Sequence, residues 1–173
     1  MKTLRFRFWT AALPLLGFTI ALFALGPACG GSSSNPTPAA VVQPQCDPSL
    51  WNNVYDPTRL KVMTSCVTVT GTIINQHASD DGDIDMEFAL DPQFANLLNS
   101  ANLAKLSGNL NIEAICQAPI LPDTPQAVPA CRGLPRLLTL PPVGAHAQVT
   151  GSYVLDTNHG WMEIHPISVI DVR

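Results

Sequence analysis

Residues 83–90 alternate between acidic or small side chains and large apolar ones. The apolar members are Ile84, Met86, Phe88 and Leu90. Successive side chains of a β-strand point to opposite faces, so this pattern predicts a strand with one buried and one solvated face. Such strands are typical of antiparallel sheets, and the acidic turn at 80–83 predicts a hairpin with the preceding strand.

Four further segments have the composition or periodicity of strands: 61–76, 109–117, 145–155 and 161–170. One short or broken helix is predicted within 91–107, where Asp91 can cap the helix and Pro92 can occupy its first position. This pattern predicts a mainly β fold, a small five-stranded OB-like antiparallel barrel with one short helix, over residues 46–173. The predicted helix precedes the third strand, whereas the usual OB helix follows it.

The first 28 residues have the layout of a bacterial secretory signal. Lys2, Arg5 and Arg7 precede an uncharged, mostly apolar run, and small residues then lead to Cys29. We expect a lipoprotein-type signal peptide over 1–28, with Cys29 acylated; the alternatives are an ordinary cleaved signal or an uncleaved membrane anchor. Residues 29–45 are rich in Gly, Ser and Pro and predict a disordered tether. The expected location is the bacterial cell envelope, lipid-anchored and facing the periplasm or the exterior.

The charge balance bears on possible partners. The chain has nine Lys and Arg against 13 Asp and Glu, and cleavage at Cys29 would remove three basic residues and no acidic one. Nucleic-acid backbones are bound by Lys and Arg, so we expect no nucleic-acid partner. The expected membrane contact is the lipid on Cys29.

Four cysteines remain after Cys29. In an exported chain Cys46, Cys66, Cys116 and Cys131 predict two disulfides, with three possible pairings. We favour Cys46–Cys66 and Cys116–Cys131 because each closes a short loop. The alternative of a four-cysteine metal site lacks any C-x-x-C pair.

The stretch 159–166 holds the strongest candidate site. On a strand over 161–170, Trp161, Glu163 and His165 share one face, and His159 in the preceding turn could join them. These four side chains are the predicted ligand-binding residues. The simpler alternative is a structural hydrogen-bonded pair of Glu163 and His165 beside Trp161.

A metal site is the second hypothesis for this stretch. Imidazole and carboxylate groups bind transition metals, and the candidate ligands are Asp83, Asp85, His159, Glu163 and His165. A metal-dependent, nuclease-like hydrolase could use such a set. Neither a zinc-type spacing nor a full calcium-loop pattern is present, so no cofactor is predicted.

Several motifs resemble those of a family of uncharacterised bacterial secreted proteins and lipoproteins. They are 54–62, 66–72, the D-G-D turn at 81–83, 150–156 and the H-G-W-x-E-I-H-P stretch at 159–166. The resemblance covers residues 46–172 and implies a shared domain without an established activity. Relatives carry a histidine soon after the D-G-D turn, where this chain has Ile84 and Asp85, which weakens a metal site that needs that histidine.

Three functions are compatible with the sequence. The first is a non-enzymatic binding module that holds a glycan, peptide or small molecule on an exposed strand face. The second is the metal-dependent hydrolase, and the third is a structural role in the envelope.

Overall fold

A computed structural model describes residues 45–134 and 137–173. The predicted signal peptide, Cys29 and nearly all of the predicted tether lie outside the described residues. Within the described part of the chain, no helix is both long and apolar enough to cross a bilayer.

Five strands form one sheet, and every predicted strand is present with slightly different ends. They are β1 (Leu60–Ala78), β2 (Ile84–Leu90), β3 (Leu110–Ala114), β4 (His146–Asp156) and β5 (Met162–Val172). The sheet closes into a barrel in the order β1-β2-β3-β5-β4. The 19-residue β1 pairs with both β2 and β4 and thereby completes the ring. The mainly β, five-stranded, OB-like prediction is confirmed.

The predicted antiparallel sheet is wrong for one pair of strands. β3 and β5 run parallel, with Asn111 opposite Glu163 and Ile112 opposite Ile164. A closed ring with an odd number of strands cannot alternate direction at every pair, so one pair must be parallel. This pairing sets β3 directly beside the strand that carries Glu163 and His165.

The predicted broken helix lies between β2 and β3. A 3₁₀ turn (Pro92–Leu97) is followed by α1 (Ser100–Lys105). Asn99 caps α1 by accepting hydrogen bonds from the backbone amides of Ala101 and Asn102, at 2.9 and 3.0 Å. The cap begins a new helix and explains the break.

The proline-rich segment that follows β3 is partly helical. It contains a 3₁₀ turn (Pro125–Ala127) that continues into a four-residue helix, α2 (Val128–Cys131). A proline in a first helical turn loses no hydrogen bond, because the amides there have no partner within the helix. The prediction of a single helix missed α2.

The apolar side chains form two clusters on opposite sides of the sheet. The inner cluster fills the barrel and includes Phe88, Ile112 and Ile164. The outer cluster includes Leu50 and Val154 and lies under the arm that precedes β1. This arm covers part of the outer face of β4, which buries outward-pointing residues there.

Two disulfides attach the irregular segments to the strands. The cysteines pair as the loop lengths predict. Cys46–Cys66 attaches the arm to β1, and Cys116–Cys131 joins the end of β3 to α2. The Cα–Cα separations are 5.5 and 5.4 Å.

Candidate functional site

A cleft of about 690 Å³ lies on the outer face of the barrel. Asp85 and Glu87 of β2 and Asn111 and Glu113 of β3 contribute to it, because their side chains alternate with those that fill the core. The β1–β2 turn and the β4–β5 turn form its walls. In OB-folds these strands and loops are where oligomeric ligands bind.

The cleft is strongly acidic. Its lining includes six carboxylates: Asp56, Asp80, Asp81, Asp85, Glu87 and Glu113. Arg59 is the one Lys or Arg among the described residues that line it. The guanidinium contacts buried Asp156 and lies 3.6 Å from Glu113 and 3.8 Å from Glu163. The positive charge of Arg59 is therefore already balanced by the protein's own carboxylates.

Trp161 and His159 line the cleft together. Their rings stack with centroids 4.3 Å apart and planes inclined by 8°. Asp156 Oδ2 lies 2.9 Å from His159 Nδ1, and Trp161 Nε1 donates to Glu163 Oε2 at 3.0 Å. The indole is thus held in one orientation at the cleft wall.

Glu163 and His165 share the outer face of β5 with Trp161, as the alternation predicts, but neither side chain is exposed. The four predicted ligand-binding residues therefore fall into two groups. Trp161 and His159 are placed to touch a molecule in the cleft. Glu163 and His165 lie in a buried polar cluster.

The buried cluster surrounds the His165 imidazole with three carboxylates. Nδ1 lies 2.5 Å from Glu113 Oε2 and 3.3 Å from Glu163 Oε1, while Nε2 lies 3.9 Å from Asp83 Oδ2. Neither ring nitrogen of His165 forms a well-aligned hydrogen bond. Asp83 Oδ2 and Glu163 Oε1 also have no hydrogen-bond partner. Ligand atoms of Asp83, Glu113 and His165 lie within 4.8 Å of one another.

Burial sets the protonation of this cluster. It raises the pKa of Asp83 to about 7, against the lowering effect of a charged His165. Burial and the Glu163 charge raise the pKa of Glu113 as well, although His165 opposes the shift. Desolvation alone would lower the pKa of His165, but Glu113 and Glu163 raise it well above its ordinary value. Three carboxylates thus surround a single imidazole. Their negative charge can be balanced by bound protons or by a cation.

The five predicted metal ligands do not all lie together in the structure. Asp83, Glu163 and His165 meet in the buried cluster. Asp85 faces the cleft, where its carboxylate contacts Ser79 Oγ and accepts from Asn111 Nδ2 at 3.1 Å. His159 is paired with Asp156 and stacked on Trp161 instead.

The sequence prediction missed Glu113, Asn111 and Arg59. Asn111 and Glu113 alternate with Leu110 and Ile112, so their outward direction was readable. Their position beside Glu163 follows from the parallel pairing of β3 and β5, for which the sequence has no local signal.

No family model, curated protein or solved structure matches this chain. The geometry of the cleft and the buried cluster therefore carries the functional argument.

Proposed function

We propose that this domain is a binding module, held at the cell envelope through Cys29, whose acidic cleft binds a short peptide rich in Lys or Arg. The observation that carries the proposal is the charge of the cleft. Six carboxylates line it, of which only Glu113 belongs to the buried cluster, and its one Arg is already paired with buried acids. A cationic ligand would supply the missing positive charge.

The shape and position of the cleft support this proposal. Its volume of about 690 Å³ lies within the range of about 300–1,000 Å³ that is common for ligand sites. It occupies the strand and loop positions used for ligands by OB-folds. Nucleic acids are disfavoured because their phosphates would face the same carboxylates.

Aromatic side chains give the cleft a means of recognising a cation beyond charge. Tyr55 and Trp161 both line it. An ammonium or guanidinium group over an aromatic face gains roughly 0.5–2 kcal/mol, depending on desolvation. The stacking on His159 fixes the indole before binding, which reduces the entropy lost when a ligand docks.

The envelope location in this proposal rests on the sequence of residues 1–45. A basic segment, an apolar run and a cysteine followed by Gly, Ser and Pro support lipid anchoring. The two cystine pairs are compatible with an oxidising compartment.

Isothermal titration calorimetry with pentalysine tests the binding proposal. The full-length protein, with both disulfides formed, should bind pentalysine and not pentaglutamate, and salt should weaken binding by screening. Asp80→Asn combined with Glu87→Gln should lower the affinity. The matched control, Asp123→Asn with Asp171→Asn, removes the same charge outside the cleft and should leave the affinity nearly unchanged.

Equal loss of affinity in both double variants would contradict binding in the cleft. Absence of pentalysine binding, together with salt-independent binding of a neutral chito-oligosaccharide, would favour a glycan ligand instead.

A further inference from the structure

The carboxylates around His165 have a shared arrangement. In each of them, one oxygen is held by a donor from outside the cluster and the other is turned towards the imidazole. Asp83 Oδ1 accepts from the Cys116 amide at 2.7 Å, while Oδ2 lies 3.9 Å from His165 Nε2. Such outside donors orient the ligands of metal sites.

The two glutamates repeat the pattern. Glu113 Oε1 accepts from Asn111 Nδ2 at 2.8 Å, and its Oε2 points to His165. Glu163 Oε2 accepts from Trp161, and its Oε1 lies 3.3 Å from the imidazole. Three segments, the β1–β2 turn, β3 and β5, thus bring three carboxylate oxygens to one buried ring, with Asp83 at Nε2 and the two glutamates at Nδ1.

The distance between Asp83 Oδ2 and His165 Nε2 is informative. At 3.9 Å it exceeds the range of about 2.7–3.2 Å that a hydrogen bond spans. Two ligands of a tetrahedral zinc ion, each about 2.0–2.2 Å from the metal, lie roughly 3.4 Å apart. A small adjustment of either side chain would allow one ion to contact both atoms.

The buried cluster also contains more acidic than basic groups. Asp83, Glu113 and Glu163 surround one imidazole, and the nearby Arg59 contacts a fourth buried carboxylate, Asp156. Even with His165 protonated, four carboxylates face only two positive groups. Burial makes uncompensated charge costly, so this excess is balanced either by protons on the carboxyl groups or by a divalent ion that replaces them.

Ligand atoms of Asp83, Glu113 and His165 lie within 4.8 Å of one another, and one ion can contact only one nitrogen of the ring. From this arrangement we infer that His165 Nε2, Asp83 and Glu113 form a binding site for a divalent transition-metal ion such as Zn²⁺. The Glu113 carboxylate would turn from Nδ1 to the ion, and Glu163 would remain as the partner of Nδ1. Imidazole together with carboxylates suits zinc and manganese better than calcium or magnesium. Catalytic zinc sites keep an open position, whereas these side chains are almost completely buried. The ion would therefore have a structural role in joining the β1–β2 turn to β3 and β5 beneath the cleft.

Metal uptake by the full-length, oxidised protein tests this inference. After treatment with a chelator, the protein is incubated with equimolar Zn²⁺ or Mn²⁺, desalted and analysed by mass spectrometry for bound metal. We expect one ion per chain. Asp83→Asn keeps the shape of the side chain and the Cys116 contact, and it should weaken binding by about 10- to 100-fold.

Glu87→Gln is the matched control, because Glu87 is a carboxylate of the cleft that accepts from Asn109 and not from the donors of the cluster. It should retain the metal with nearly the original affinity. If Glu87→Gln loses as much metal as Asp83→Asn, the ion is held by the exposed acids and the inference is wrong.

A second measurement covers the case in which Asp83→Asn does not fold. The wild-type melting temperature should rise on addition of Zn²⁺ and fall with chelator, since an ion that binds only the folded state stabilises it. A wild-type protein that takes up no ion and shows no such shift overturns the inference. The metal measurements contain no peptide, so their failure leaves the proposed peptide binding standing, and failure of pentalysine binding leaves the metal site standing.

Discussion

Asn102 of α1 holds both backbone groups of Met162, the first residue of β5. Its Nδ2 donates to the Met162 carbonyl at 2.9 Å, and its Oδ1 accepts from the Met162 amide at 2.9 Å. Asn102 is fully buried. The short helix therefore fixes the start of the strand that carries Glu163 and His165.

Replacing Asn102 with Ala should be strongly destabilising. The substitution leaves two buried backbone groups of Met162 without partners, at about 1–3 kcal/mol for each unsatisfied group. Chemical denaturation should show a loss of about 2–4 kcal/mol. Leu103→Ala, on the exposed side of the same helix, should change stability by less than about 1 kcal/mol. Similar midpoints for Asn102→Ala and wild type would contradict this role.

Gly151 of β4 lies opposite Ile167 of β5, where the two strands leave no room for a Cβ atom. A Cβ atom there would stand 2.5 Å from the Pro166 carbonyl oxygen and 2.5 Å from Ile164 Cγ2. Since the Pro166 contact is with backbone, Gly151→Ala should cost about 3 kcal/mol or more in thermal or chemical unfolding.

Gly133→Ala is the comparison for this variant. It meets no atom within 4 Å, but φ is +79°, so backbone strain of about 1–2 kcal/mol is expected. A smaller loss in Gly151→Ala than in Gly133→Ala would show that the two strands can separate at little cost.

The Cys116–Cys131 disulfide should contribute measurably to stability. It closes a loop with a sequence separation of 15, for which the loss of unfolded-chain entropy is worth about 3 kcal/mol. Replacing both cysteines with Ala should lower the unfolding free energy by about 2–4 kcal/mol. Peptide mapping of wild-type protein checks the pairing, and a free Cys116 thiol in folded protein would contradict it.

Asp156 should make stability depend on acidic pH. Burial alone would raise the pKa of this carboxyl, but hydrogen bonds from His159 and Asn158 and the charge on Arg59 lower it below its ordinary value. A lowered folded-state pKa contributes stability that is fully present above the unfolded value, about 3.9, and is lost as pH falls through the folded value.

Melting temperatures of wild type and Asp156→Asn, measured from pH 7 to pH 3, test this effect. The wild type should be more stable at neutral pH, and the difference should shrink below about pH 4. A difference that stays constant through the acid range would exclude an ionised Asp156 as its cause.

Membrane attachment should depend on Cys29, which lies outside the described residues. Cys29→Ser removes the proposed acylation site and should move the protein from the membrane fraction to the soluble envelope fraction. Ser32→Ala in the same segment should remain membrane-bound. Retention of Cys29→Ser in the membrane would indicate an uncleaved apolar anchor instead.

The strands could be predicted because their evidence is local. The alternation over 83–90 and the β-branched residues of β1 require only neighbouring positions to be read. The favoured disulfide pairing likewise followed from loop length. The outward direction of Trp161, Glu163 and His165 followed from the same alternation.

Asp83, Glu163 and His165 are among the predicted metal ligands, but their meeting with Glu113 in one buried cluster could not be predicted, because it depends on contacts between distant segments. Glu113 and Glu163 meet only because β3 and β5 are parallel neighbours, and the position of Asp83 is fixed by the Cys116 amide. The burial of His165 and Glu163 depends in turn on other segments that cover the outer face of β5. Strand periodicity predicts which face a side chain lies on, but it does not predict whether another segment covers that face.

The parallel pairing of β3 with β5 also affects how this molecule can be made. β5 is the last strand in the described order, and it pairs with both β3 and β4. A chain that is delivered amino end first, whether by synthesis or by export, therefore leaves one edge of β3 and one edge of β4 unpaired until residues 162–172 arrive. During that interval the edges are open to mispairing with other chains, and Asp83 and Glu113 have no imidazole to meet. Assembly of the cluster thus waits for β5, the strand that carries Glu163 and His165.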